Sequence, residues 1–194
     1  ASRLQAYRSL RNSLVHLSYP GETEPIAVPR SDVVEDYRQL IEYLKCPPTA
    51  LESIAVREVF TVGWGDCVLP NLRSMMERGF RLAPITEQGK LEGMFTESTL
   101  AQAWLSSVSF TLDDTLRFEA FRETAHFSKP ILGVRFMSSD VTVEEVERNF
   151  REAFERGEFT SVVCLTSSGQ PFDQLDGIVT AHDLPNASGH RSMT

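Results

Sequence analysis

Gly177-Ile178-Val179-Thr180-Ala181-His182-Asp183-Leu184 has a counterpart 84 residues earlier, Gly93-Met94-Phe95-Thr96-Glu97-Ser98-Thr99-Leu100. In both, glycine leads two apolar residues, then a threonine, then a polar turn closed by leucine. The apolar pair reads as the end of a strand, and the threonine with a polar residue three places on reads as a helix start. Working outward, the flanks repeat as well. The first copy predicts a strand (Glu58–Val62), a turn at Gly63-Trp64-Gly65, and a helix with Leu69, Leu72, Met75 and Met76 on one face. Gly79 suits the left-handed residue that ends such a helix. A strand (Arg81–Thr86), a tight turn (Glu87–Lys90), a strand (Leu91–Thr96) and a helix opening at Thr96 follow. The second copy predicts a strand (Ile131–Phe136) and a helix capped by Asp140 or Thr142, striped by Val143, Val146, Phe150, Ala153 and Phe154, with Gly157 at its end. Then come a strand (Thr160–Thr166), a longer turn (Ser167–Asp173), a strand (Leu175–Thr180) and a helical turn at Asp183 that Pro185 ends. Each copy is therefore β-α-β-β-α. One copy of roughly 55–60 residues is marginal alone. Two packed sheet to sheet about a pseudo-twofold axis bury each other and leave two related clefts.

The first 50 residues have a different texture. Leu4, Tyr7, Leu10, Leu14 and Leu17 recur at steps of three and four, which predicts a helix over 3–18. Pro20, Pro25 and Pro29 enforce an extended connection. Ser31 or Asp32 is a candidate cap for a second helix with the stripe Val33, Tyr37, Leu40, Ile41 and Leu44, which Pro47-Pro48 stops. Between the copies, Leu112–Thr124 reads as a linking helix with Leu116, Ala120 and Phe121 inward. The expected organisation is a helical arm (1–50), a first repeat (51–108), a linking helix (109–127), a second repeat (128–187) and a mobile tail (188–194). The fold class is α+β.

Composition excludes several functions. With 41% hydrophobic and 24% charged residues the chain is ordinary globular material. Its net charge of −8 argues against coating nucleic acid non-specifically. No apolar run approaches the roughly 18 residues of a membrane span, and no signal peptide is legible at the N-terminus. Cys46, Cys67 and Cys164 form no CxxC pair and read as reduced thiols of a cytoplasmic protein. His16, His126, His182 and His190 show no metal-ligand spacing, so no metal and no resident cofactor are expected. GxGxxG, GxxxxGK, GxSxG and HExxH are all absent, and the expectation is a protein that is not an enzyme.

The repeat order and the closing motif resemble the CBS domain, named for cystathionine β-synthase. Its hallmark, Gly-apolar-apolar-Thr-x-x-Asp-apolar, stands in full at Gly177–Leu184. Gly79-Phe80-Arg81-Leu82-Ala83-Pro84-Ile85 with Gly89-Lys90-Leu91 is similar to the family's middle strand pair. The resemblance spans about residues 52–187. It implies a pseudo-twofold pair that binds an adenine nucleotide or another adenosyl ligand, regulates an attached process, and dimerises through its helices. The motif's chemistry agrees. A helix N-terminus suits phosphate, Thr180 adds a hydroxyl, and a carboxylate such as Asp183 can accept from both hydroxyls of a ribose diol. Val162 or Val163 would meet the adenine face, the segment from Leu132 to Phe136 would form the other wall, and His182 and Arg135 would neighbour the phosphates. Thr and Asp are equally favoured as plain helix caps, so capping is the competing reading. In the first copy Thr99 stands where the motif has Asp. A hydroxyl cannot hold both ribose oxygens, and losing a charge-assisted bond costs about 1.5–3 kcal/mol. The site of Thr96, Thr99, Ala83 and Pro84 is therefore expected to be weak. The alternative function is a structural interaction module with a vestigial cleft.

Arg11-Asn12-Ser13-Leu14-Val15-His16 fits the R-x4-H pattern and, with the proline loop and second helix, resembles the closing helices of HEPN-like domains joined to CBS repeats in bacterial proteins. That resemblance implies an RNA-binding or RNA-cleaving variant. The same three polar residues, Arg11, Asn12 and His16, serve equally as a polar surface or a dimer contact, and the acidic charge disfavours RNA.

Overall fold

The computed structural model describes residues 2–16, 29–106, 111–127 and 133–184. The chain divides into two units, one built on Ala1–Pro47 and the other on Pro48–Ala187. The first unit contains α1 (Ser2–His16) and α2 (Ser31–Lys45). Tyr7 joins them: its ring lies 5.1 Å from that of Tyr37, and its hydroxyl donates to Asp36. Neither Ser31 nor Asp32 caps α2. Arg30 holds the N-cap position without a side-chain cap, and Ser31 is already helical. Asp32 is engaged instead by the Arg30 guanidinium at 2.7 Å. No residue of α2 is buried. Leu17, Pro20 and Pro25 lie outside the described residues.

The second unit is mixed α+β. Its elements are α3 (Ala50–Ser53), α4 (Val68–Arg78), β1 (Leu82–Glu87), β2 (Lys90–Thr96), α5 (Glu97–Leu105), a 3-10 turn at Phe118–Phe121, β3 (Val134–Ser138), α6 (Val143–Glu155), β4 (Val162–Thr166) and β5 (Leu175–Thr180). The internal repeat is visible pair by pair. In the β1–β2 hairpin Leu82 faces Thr96, Ala83 faces Phe95, Pro84 faces Met94 and Ile85 faces Gly93. In β4–β5 Val162 faces Thr180, Val163 faces Val179, Cys164 faces Ile178 and Leu165 faces Gly177. Both hairpins slip register at the next step, after Ile85 and after Leu165. The longer second turn leaves this pairing unaltered.

The third strand differs between the copies. β3 runs parallel to β4 over five residues. Its expected partner in the first copy, Glu58–Val62, is not a strand; a single parallel bridge joins Val62 to Ile85. The chain cannot extend it in either direction. Upstream, Val56 exchanges two hydrogen bonds with Ile178 of β5, at 2.9 and 3.0 Å. Downstream, the Gly63–Asp66 turn begins at once, closed by the Gly63 N–H donating to Asp66 Oδ2 at 2.7 Å.

That diversion reveals an exchange of segments. Ala50 of α3 and Ile54, its C-cap, pack with Val143, Val146, Val163, Leu165 and Val179, and so fill the core of the second copy. Phe118, Phe121 and Ala125 fill the core of the first, with Trp64, Val68, Met75 and Phe95. The Met94 N–H donates to the Ala125 carbonyl at 2.9 Å, answering the Val56–Ile178 pair. The stretch Leu112–Thr124 is thus no linking helix: only Phe118–Phe121 is helical, in 3-10 form. That geometry sets Phe118 and Phe121 on one side. Phe118 takes the inward place expected of Ala120, which is exposed.

Leu91, Met94, Val162, Cys164 and Ile178 form the seam between the two sheets. The Leu91 N–H donates across it to the Asp173 carbonyl at 2.9 Å. On the outer side, α4 ends at left-handed Gly79 (φ 72°). The Thr142–Glu145 capping box opens α6. The helix stripes are narrower than the periodicity suggested: Met76 and Phe154, each one residue past a buried Met75 or Ala153, are 74% and 83% exposed. A step of about 100° carries a side chain off the buried face. Among the described residues no helix is long and apolar enough to cross a membrane.

Candidate functional site

Antiparallel pairing places Val162 opposite Thr180, and parallel pairing places Val134 beside Val162. Val134, Val162 and Thr180 therefore make one row across the sheet. Side chains alternate along a strand, and the packing shows which face is which. Val162, Cys164, Ile178, Val134 and Phe136 belong to the seam. Val163, Leu165, Val179 and Met137 face the helices. Of the expected adenine contacts Val162 and Val163, only Val162 is on the seam side, and both are fully buried. Arg135 shares the register position of Val163, away from the seam. Its guanidinium pairs with Glu158, which Arg156 also holds at 3.2 Å. Arg156 first, then Arg135, keeps the Glu158 carboxyl below its ordinary range. Arg135 is thus not brought to Thr180. His182 is exposed, and Leu132 lies outside the described residues.

Thr180 and Asp183 are together. The Thr180 N–H donates to Asp183 Oδ2 at 2.7 Å, and the Thr180 hydroxyl donates to the same oxygen at 2.8 Å. The Asp183 N–H donates to the Thr180 carbonyl at 3.1 Å. The carboxylate thus closes the turn with one oxygen, and Oδ1 accepts from none of the described residues. The helical turn expected here is present, and among the described residues it reaches Leu184. What the described turn offers an anion is its own N–H groups.

The first copy is closed more completely. Thr96 and Thr99 form a reciprocal capping box at the start of α5, with N–H to hydroxyl distances of 3.0 and 3.3 Å. The Thr99 hydroxyl also donates to the Met94 carbonyl at 3.5 Å, and Thr99 has no exposed surface. Ala83 and Pro84 are buried beside Phe95 and Met94. Every polar atom of the Thr99 side chain is spent inside the protein, whereas Asp183 is half-buried with an oxygen to spare.

Val134 belongs to the Leu132–Phe136 segment expected as the other wall, and the parallel register singles it out by setting it beside Val162. One further residue at the Thr180 end is not marked by the sequence. Thr160, two residues before Val162, has a buried hydroxyl without a partner. Its neighbour Ser161 donates its N–H to the Gly133 carbonyl at 2.8 Å. Position alone could not distinguish Thr160 from an ordinary strand threonine. Among the described residues no three His, Cys, Asp or Glu side chains gather as metal ligands.

No family model matches the chain, and no curated protein matches it. Solved structures do. A protein assigned to acetoin utilization (AcuB) from Vibrio cholerae aligns with a TM-score of 0.55 and 16% identity, over 75% of this chain and 93% of that one. A protein of Methanocaldococcus jannaschii described as an archaeal homologue of γ-AMPK aligns with a TM-score of 0.52 and 15% identity. That alignment covers 87% of this chain and 56% of the other. The CBS domain pair of protein MJ0100, solved with 5′-methylthioadenosine and S-adenosyl-L-methionine, aligns with a TM-score of 0.48 and 16% identity, over 74% and 98% of the two chains.

Proposed function

We propose, from the premise that this chain has the fold of a tandem CBS-domain pair, that it is a non-enzymatic regulatory module whose second repeat binds an adenine nucleotide or a related adenosyl ligand. The observation that carries the reading is the inequality of the two closing turns. Asp183 keeps one carboxylate oxygen uncommitted beside Thr180, and Thr160, two residues before the Val162 that faces Thr180, has a buried, unpartnered hydroxyl. Thr99 has nothing left to offer. A ribose diol takes Asp183 Oδ1, the base lies over the Val134–Val162 row, and the phosphates meet the N–H groups after Thr180. Binding ties β5 to β4 and, through the Val56–Ile178 pair, to the segment that follows the helical arm. This regulates only if the poses with and without ligand differ in affinity. The protein acts as a homodimer, paired through outer helices that leave Met76, Trp104 and Phe154 exposed.

Titration with AMP, ADP, ATP and S-adenosylmethionine tests the site. One site is expected, weakened about tenfold or more by Asp183→Ala, the cost of a lost charge-assisted bond. At 100 times Kd the ligand adds about 2.7 kcal/mol to stability. Two equal sites, or indifference to Asp183→Ala, overturns the assignment. The second reading, an interaction module with a vestigial cleft, is favoured by the full burial of Val162 and by Arg135 being held by Glu158. It predicts no thermal shift with any adenylate.

A further inference from the structure

The last turn of α4 presents a cation without an anion, and the second copy shows what is missing. Val62 bridges Ile85 as Met137 pairs with Leu165, and Ile85 and Leu165 face Gly93 and Gly177. Two residues back, Phe60 therefore matches Arg135. Left-handed glycines follow the two helices, Gly79 after α4 and Gly157 after α6. The residues on either side of them match in turn, Arg78 with Arg156 and Phe80 with Glu158. In the second copy the three side chains form an ion triad, in which Glu158 takes Arg156 at 3.2 Å and Arg135 as well. In the first copy both partners of the arginine are phenylalanine. The Arg78 guanidinium lies over them, 5.5 Å from the Phe60 centroid and 4.9 Å from that of Phe80. Arg78 is exposed and forms no ion pair among the described residues. Stacking occupies the faces of the guanidinium and leaves its in-plane N–H donors free. Already held flat, these donors match a planar carboxylate in bidentate fashion and lose little freedom on binding it. Phe80, 39% exposed, continues the surface as an apolar patch, and Arg81 beyond it is exposed too. We propose that this surface docks an acidic segment of a partner protein, whose carboxylate takes in trans the place that Glu158 takes in cis, with an apolar residue beside it on Phe80.

The docking surface is independent of the Asp183 site. Met76, two residues before Arg78 and so about 200° around α4, belongs to another face. The test is a titration of the full chain, followed by nuclear magnetic resonance at the Arg78 Nε–H signal. The probes are a blocked Leu-Glu-Phe peptide, the same peptide with Gln for Glu, and inorganic phosphate. The Glu peptide should move the signal saturably and bind about fivefold more tightly than the Gln peptide, the worth of one exposed, well-oriented ion pair. Arg78→Gln, read at the Phe80 amide, should lose the preference for Glu. Phe80→Glu supplies the carboxylate in cis, as Glu158 does. It should move the Arg78 signal as the peptide does in the wild type and weaken binding of the Glu peptide about fivefold or more. Unchanged amide signals from β3, β4 and α6 show that each variant is folded, and Arg78→Gln carries the test by itself if Phe80→Glu misfolds. Equal affinity for the Glu and Gln peptides, a preference that survives Arg78→Gln, or a folded Phe80→Glu that binds like the wild type overturns the proposal. So does phosphate that moves the Arg78 signal as far as the Glu peptide does at equal concentration, because the surface is then a general anion patch.

Discussion

Thr99 and Asp183 occupy matching places in the two repeats and differ by one functional group. The hydroxyl is short enough to turn inward and be consumed by Thr96 and Met94. The carboxylate closes the same turn and keeps an oxygen outward. One residue type thus converts a closing motif into a cap in one copy and a candidate site in the other. Cys164 shows how far burial alone sets chemistry. It lies fully buried in the seam, and desolvation pushes its thiol up to about 12. The thiolate is the reactive form, so at pH 8 Cys164 is inert while folded. Cys46, exposed after α2, is open to reagent. Thiol counting with a chromogenic disulfide should find Cys46 reacting at the rate of an open thiol and Cys164 only at the rate of unfolding. Equal rates for the two would contradict the packing of the seam.

At the scale of elements, the turn between β4 and β5 does more than reverse the chain. Its Asp173 carboxylate accepts from the Ser167 hydroxyl and the Ser168 and Gln174 N–H groups, while its carbonyl takes the Leu91 N–H of the other copy. Hydrogen bonds from Ser168 and Ser167 hold the Asp173 carboxyl down to about 2, against 3.8 for the free group. A depressed folded value means the unfolded chain binds this proton first as the pH falls. The stabilisation is whole above about pH 4 and is lost between there and about pH 2. Thermal melts across pH 5 to 2 should fall more steeply for the wild type than for Asp173→Asn, which has no proton to bind there. Parallel curves would remove the turn from the acid response. The serines and aspartate of this turn were legible as a longer loop, and the hairpins, glycine ends and α6 cap were legible from alternation and punctuation. The exchange of 50–56 and 118–125 between the cores was not, because period and capping describe neighbours along the chain. Nothing in Glu58–Val62 tells that Val56 pairs with a strand more than a hundred residues away. The site was read in outline for the same reason. Thr180 and Asp183 are three residues apart, whereas the face of Arg135 and Val163 depends on a parallel register that only the folded sheet defines.

At the scale of the molecule, the exchange makes the two repeats one cooperative body. Each core includes a segment that belongs to the other by chain order, and Gly93 of β2 and Gly177 of β5 let the neighbouring segments approach closely. A Cβ on Gly177 would come within 3.0 Å of Leu51 and 3.2 Å of the Val56 carbonyl; one on Gly93 would come within 3.0 Å of Trp64 and 3.2 Å of the Ala125 carbonyl. Neither repeat can melt without uncovering the other. Phe118→Ala, deep in the first core against Phe95 at 4.8 Å, should therefore cost about 3–5 kcal/mol. At about 2–4 °C per kcal/mol for a body of this size, the midpoint drops by roughly 6–20 °C. The informative part is where the loss appears. Trp64 fluorescence reports on the first core and Cys164 accessibility on β4. In a two-state body their transitions coincide before and after the substitution, both shifted by the same amount. A first core that melts early in Phe118→Ala, leaving β3, β4 and β5 folded at higher temperature, would mean that the exchanged segments dock on finished domains rather than complete them.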